Sequence, residues 1–227
     1  RRVSAALLRL ILAQISIHAC MTGMRMATPL LALREGFSAA SVGFLLALFA
    51  LTQVFLSLPA GRYADRHGLR RPLALSVAIA VLGAGTAAAF PVYPVLCLAA
   101  LLTGGASGTA IIALQRHVGR SAHDKAQLRK VFSWLAIGPA ISNFLGPFCA
   151  GLLIDYAGGE AASTTGFRAA FLLLALLPLS AWFLSRSVQE LPPVEAPAAA
   201  AKPATAWDLF QNQGFRRLLL MNWALSS

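Results

Sequence analysis

The chain is poor in charge, and poorest in negative charge. Only 12% of its 227 residues are Asp, Glu, Lys or Arg, and just 8 are acidic. A soluble domain carries about twice that share of charged side chains, so a water-soluble globular fold is excluded. Cysteine is scarce: Cys20, Cys97 and Cys149 each lie inside an apolar run. Their placement excludes a disulfide framework, and no group of residues has metal-ligand spacing. No cofactor is expected. Alternation of apolar and polar residues is missing too. "LLALFALTQVFLSLPA" is apolar on all sides, which excludes the dyad pattern of a transmembrane β-barrel.

What the chain has in abundance is long apolar runs. Crossing a bilayer takes about 20 residues with few or no charges, and six runs qualify, at about 7–33, 41–60, 73–90, 95–115, 131–155 and 167–185. Each reads as a helix, because lipid offers backbone N–H and C=O groups no partner outside the helix itself. The first run is too long for a cleavable signal peptide and leads into no small-residue cleavage site. The expected fold class is therefore an all-α membrane protein: a six-transmembrane-helix bundle plus the start of a seventh helix at "FRRLLLMNWALSS". The expected division is a bundle over 1–186, a Pro/Ala-rich cytoplasmic linker over 187–206, and the truncated start of a second bundle over 207–227. A chain that begins at Arg1 and stops inside an apolar run reads as the front part of a longer protein.

Of the 19 basic residues, all but Arg25, Arg34 and Arg168 fall in the N-terminus, the second and fourth loops, or the segment after the sixth run. Lys- and Arg-rich loops stay on the cytoplasmic side, so these segments, the N-terminus included, are expected there. The net charge of +11 is thereby read as topology, with the bilayer as partner and no nucleic acid.

One loop concentrates charge: "GRYADRHGLRRP", residues 61–72. Gly61 and Gly68 suit a tight connection or close backbone approach, and Pro72 suits the first turn of the next helix. The arginines suit an anionic membrane surface. Asp65, alone among them, calls for a partner: a neighbouring arginine or the positive end of a helix.

Six spans, a basic loop after the second and a proline-rich linker after the sixth together resemble the N-terminal half of a major facilitator superfamily transporter. Gly61, Asp65, Arg66, Gly68, Arg70 and Arg71 resemble that family's loop motif between helices two and three, with Leu69 displacing the basic pair by one residue. The resemblance implies that Asp65 latches one conformation through a partner in the other half. In the fifth run, Gly138, Pro139, Gly146, Pro147 and Gly151 resemble the helix-five motif of the family's proton-coupled antiporters. The helix-four arginine of those antiporters is missing from a fourth span that carries no charge. The resemblance further implies a substrate site near the midplane, lined chiefly by the first and fourth helices of each half.

A rival reading comes from "GGASG" at 104–108, which resembles the serine motif of rhomboid intramembrane proteases. That chemistry needs a histidine within reach of Ser107. Span six has none, His67 and His123 lie in loops, and His117 is ten residues along the same helix. Only His18 remains, with no supporting partner, so no suitable base is expected.

Polar residues inside the spans are few. Gln14, His18, Thr22 and Arg25 fall along one side of span one at helical spacing, and a polar stripe on an apolar helix faces something wet. Arg25 is expected to face a cavity, with snorkelling to the outer headgroups or pairing to Asp155 as the alternative. Gln53, Thr103 and Asn143 complete the candidates for substrate or coupling contacts. The resulting expectation is a non-enzymatic, secondary-active transporter that carries a small organic molecule by alternating access together with a C-terminal half, with proton coupling, efflux and uptake left open. An Arg- and Ala-rich composition suggests a multi-pass protein of a bacterial inner membrane.

Overall fold

A computed structural model describes residues 5–121, 125–157 and 164–191, together with 214, 216 and 221. The chain forms two compact units, Arg1–Pro193 and Val194–Ser227. Of the second, Gly214, Arg216 and Met221 are described, and all three are helical. Most of the linker and of the expected second bundle therefore lies outside the described residues.

The first unit is built of six helices: α1 (Ala5–Arg34), α2 (Ala39–His67), α3 (Arg70–Ala89), α4 (Tyr93–Ser121), α5 (Lys125–Ala157) and α6 (Thr165–Arg186). All six are long and apolar enough to cross a membrane, and the described residues include no strand. Each helix contains its expected apolar run apart from Phe90, which caps α3, but several reach further. α2 continues through the first part of the charged loop to His67, α4 passes residue 115 to Ser121, and α5 starts at Lys125. Charged residues end an apolar run without ending a helix; in α2 and α4 the basic residues of the last turn also oppose the negative end of the dipole.

α1 packs mainly on α5 and α6, α4 on α2 and α3, and α3 on α6, while α1 and α4 meet across the middle. Two apolar clusters stack along the bundle. One holds Cys20, Met24, Leu31, Phe49, Ala84, Phe167 and Phe171. The other, nearer the α2–α3 turn, holds Leu10, Ile17, Leu69, Leu73, Leu114 and Val188. α2 and α5 do not touch each other, and both leave large apolar side chains outside, among them Phe55, 72% exposed, and Phe144, 63% exposed.

Missing side chains set two close backbone crossings. A Cβ on Gly104 would lie 2.6 Å from the Phe49 carbonyl oxygen of α2. One on Gly146 would overlap the Ala19 carbonyl and Thr22 hydroxyl of α1. Small residues let helix backbones approach in this way where lipid gives no hydrophobic drive for association.

Candidate transport site and the charged turn after α2

The polar stripe of α1 divides between neighbours. His18, half-buried, turns to α4, its Nδ1 3.2 Å from Ser107 Oγ. Thr22 turns to α5, donating to the Ser142 carbonyl at 2.8 Å. Ser142 in turn donates to the carbonyls of Ile15 at 3.2 Å and Gly138 at 2.8 Å. Gln14 is buried against Gly138, and its Oε1 has no hydrogen-bond partner among the described residues. Arg25 is exposed and forms no ion pair among the described residues, with Asp155 or otherwise. α1 thus offers one outward cation, one imidazole bridged to α4, and two polar groups used in packing on α5.

The remaining candidates separate. Thr103 is buried and returns its hydroxyl to Ala99 of its own helix at 2.7 Å, as membrane hydroxyls commonly do. Gln53 lies half-buried on α2, across from Gly108 of α4. Asn143 is exposed on α5, beside Ser142. In the helix-five motif, Gly138 and Gly146 stand at the α1 crossing, whereas a Cβ on Gly151 would meet only Met26 Cε at 3.8 Å. Pro139 and Pro147 lie within α5, which continues through both.

Two expectations change. Ser107 does have a histidine within hydrogen-bond reach, so the lack of a base no longer argues against a protease. A different obstacle stands in its place: Ser107 is fully buried, and a nucleophile has to touch its substrate. Span four also proves to be part of a longer helix that carries Arg116, His117 and Arg120 toward its end.

Arg116 answers the question that Asp65 raises. Its Nη1 donates to Asp65 Oδ1, so the aspartate's partner in this unit is an α4 side chain and not a loop arginine. Gly61 is helical, and its lack of a side chain leaves room for that guanidinium, 2.9 Å from where a Cβ would stand. Gly68 has φ 72°, a conformation other residues adopt only with strain, and it lies against the Glu190 carboxylate.

Glu190 is the second residue missed in sequence. Leu69, before the first turn of α3, gives that helix no side-chain cap. Glu190 supplies one from beyond α6: its Oε1 accepts from the N–H of Leu69 at 3.1 Å and of Arg70 at 3.0 Å. A carboxylate there also meets the positive end of the helix dipole. Arg70 completes the tie, with Nε 3.7 Å from Glu190 Oε2 and Nη2 donating to the Arg186 and Val188 carbonyls. Arg66 and Arg71 are exposed and form no ion pair among the described residues. A signal for Arg116 lay in the sequence, in the helical periodicity that runs past residue 115; the Glu190 contact, made across 120 residues, had none.

The sequence profile of the Major Facilitator Superfamily matches residues 10–227. A curated relative, Multidrug resistance protein D of Escherichia coli (strain K12), is 29% identical over 190 residues, covering 83% of this chain and 44% of the relative. The chain thus spans less than half the length of that relative. Six membrane-crossing helices, a glycine-punctuated turn tied by charge to α4 and α6, and a profile match over nearly the whole length place this multi-pass membrane transporter in the Major Facilitator Superfamily.

Proposed function

We propose that the chain is the N-terminal half of a secondary-active transporter that moves a small organic solute by alternating access. It resides in the cell membrane with its N-terminus and the α2–α3 turn on the cytoplasmic side. The name of its relative, a multidrug resistance protein, supports export. Proton coupling is drawn from the likeness of α5 to the antiporter motif, and His18, bridged to Ser107, is the group to carry it, since imidazole exchanges protons near neutral pH.

The observation that carries this reading is Arg25. It is an exposed cation without an ion-pair partner among the described residues, on a 30-residue apolar helix. A charge at the middle of a membrane helix costs about 2.5–3.5 kcal/mol on insertion scales, and such residues face a bundle interior or a watery cavity. Arg25 therefore takes an anionic group of the solute. As the bundle rocks against a second six-helix half, the exposed faces of α2 and α5 slide on that half, and the pairs at the α2–α3 turn break and re-form.

In the full-length protein, Arg25→Ala should keep normal abundance and weaken apparent solute affinity. A charged hydrogen bond of about 1.5–3 kcal/mol corresponds to roughly 10- to 100-fold, with partial recovery in Arg25→Lys. Normal transport by Arg25→Ala removes the residue from the site. Lost abundance that Asp155→Asn restores makes Arg25 a structural ion-pair residue instead.

A further inference from the structure

A groove of about 240 Å³ runs between α2 and α3 over the surface of α4. Its floor is Leu101, Leu102, Gly105, Ala106 and Thr109 of α4, with Thr52 and Leu56 on one wall and Leu75, Ser76 and Ile79 on the other. The hydroxyls in its walls are already used. Thr52 donates to the Leu48 carbonyl and Ser76 to the Pro72 carbonyl, each within its own helix. Thr109 adds one hydroxyl to an otherwise apolar lining, and the groove suits a hydrocarbon chain.

At 100° per residue the floor residues cluster on one side of α4, and Ser107 points about 170° away from their centre. The groove is thus on the opposite side of α4 from the His18–Ser107 contact. It lies mid-helix on α2, α3 and α4, at the depth of the bilayer's hydrocarbon, where water is absent.

The same helices carry positive charge toward the α2–α3 turn. On α2, Arg66 stands ten residues after Leu56 and about 80° round the helix from it, beside the groove wall. On α3, Arg71 stands one turn before Leu75. Both arginines are exposed and free of ion pairs among the described residues. Arg71 is about 6 Å and Arg66 about 15 Å along the axis from the nearest groove residue at 1.5 Å per residue, a span that suits a phosphate above an inserted chain.

We propose that this groove binds one acyl chain of an anionic phospholipid from the adjoining leaflet, with its phosphate held by Arg66 and Arg71. The test uses the full-length transporter, purified in detergent with phosphatidylglycerol or phosphatidylcholine, and counts retained lipid by native mass spectrometry. Contacts of the strength basic residues make near anionic lipid are equivalent to about fivefold in affinity each. One phosphatidylglycerol should be retained with roughly 30-fold preference over phosphatidylcholine. Arg66→Gln with Arg71→Gln should bring the two lipids near parity. Ile79→Phe, which fills the groove, should lose both, as should Leu75→Trp at its exposed rim, where a larger ring is accommodated without disturbing the core. Equal retention of the two lipids by the parent protein overturns the proposal. So does phosphatidylglycerol retention that survives both groove-filling variants, including the case in which those variants impair transport and the groove serves an apolar solute.

Discussion

Gln14 occupies a costly position in the bundle. It is 2% exposed and its Oε1 meets no donor among the described residues, a deficit worth about 1–3 kcal/mol. Gln14→Met keeps the volume and removes the unpaired amide, so thermal stability of the full-length protein should rise by about that amount with transport retained. A fall in stability would show that the carbonyl has a partner such as bound water or solute. Residues of this kind also mark where sequence reading reached its limit. The stripe of Gln14, His18, Thr22 and Arg25 was legible from helical spacing, but which neighbour each would face was not. α4 and α5 flank that stripe closely, so a small rotation decides between a cavity and a helix interface. Asp65 was legible as a carboxylate in need of a partner. Arg116 was hidden because hydropathy ended span four one residue too early.

Among elements, the α1–α5 crossing is the clearest case of structure set by what is left out. The Gly146 backbone lies directly on the Ala19 carbonyl, and Thr22 and Ser142 fasten the helices on the same turn. Gly146→Leu has no space to enter and should destabilise by about 1–3 kcal/mol or more, the usual size of overpacking. Gly151→Ala, facing only Met26 Cε at 3.8 Å, should be nearly silent. A thermal-denaturation series separates the two, and equal effects would mean that the motif's glycines serve bending and not contact. The existence and order of the six helices followed from apolar runs alone. Their ends did not, because α2, α4 and α5 continue into charged segments that helical hydrogen bonding tolerates and hydropathy does not register. The cap that Glu190 gives α3 joins positions about 120 residues apart, beyond the reach of any local signal.

For the molecule as a whole, topology is the first quantity to test. Glu35, in the turn before α2, and His67, the last residue of α2, are separated by the length of that 29-residue helix. Glu35→Cys should react with a membrane-impermeant thiol reagent only from outside the cell, and His67→Cys only from the cytoplasmic side, against a background lacking the three native thiols. Labelling of both from one face would overturn the six-span topology. The apolar surface of α2 was legible in the sequence but its partner was not, since lipid and a second bundle place the same demand on a helix surface. The role proposed for Arg25 has a further consequence at this scale. A fixed cation inside the hydrocarbon layer sits within the transmembrane electric field, where carrying one charge across 100 mV involves about 2.3 kcal/mol of work. Movement of Arg25 through about a tenth of the bilayer during a transport cycle exchanges roughly 0.2 kcal/mol with the membrane potential, and the balance between inward- and outward-facing states becomes voltage-dependent even for a solute that carries no charge.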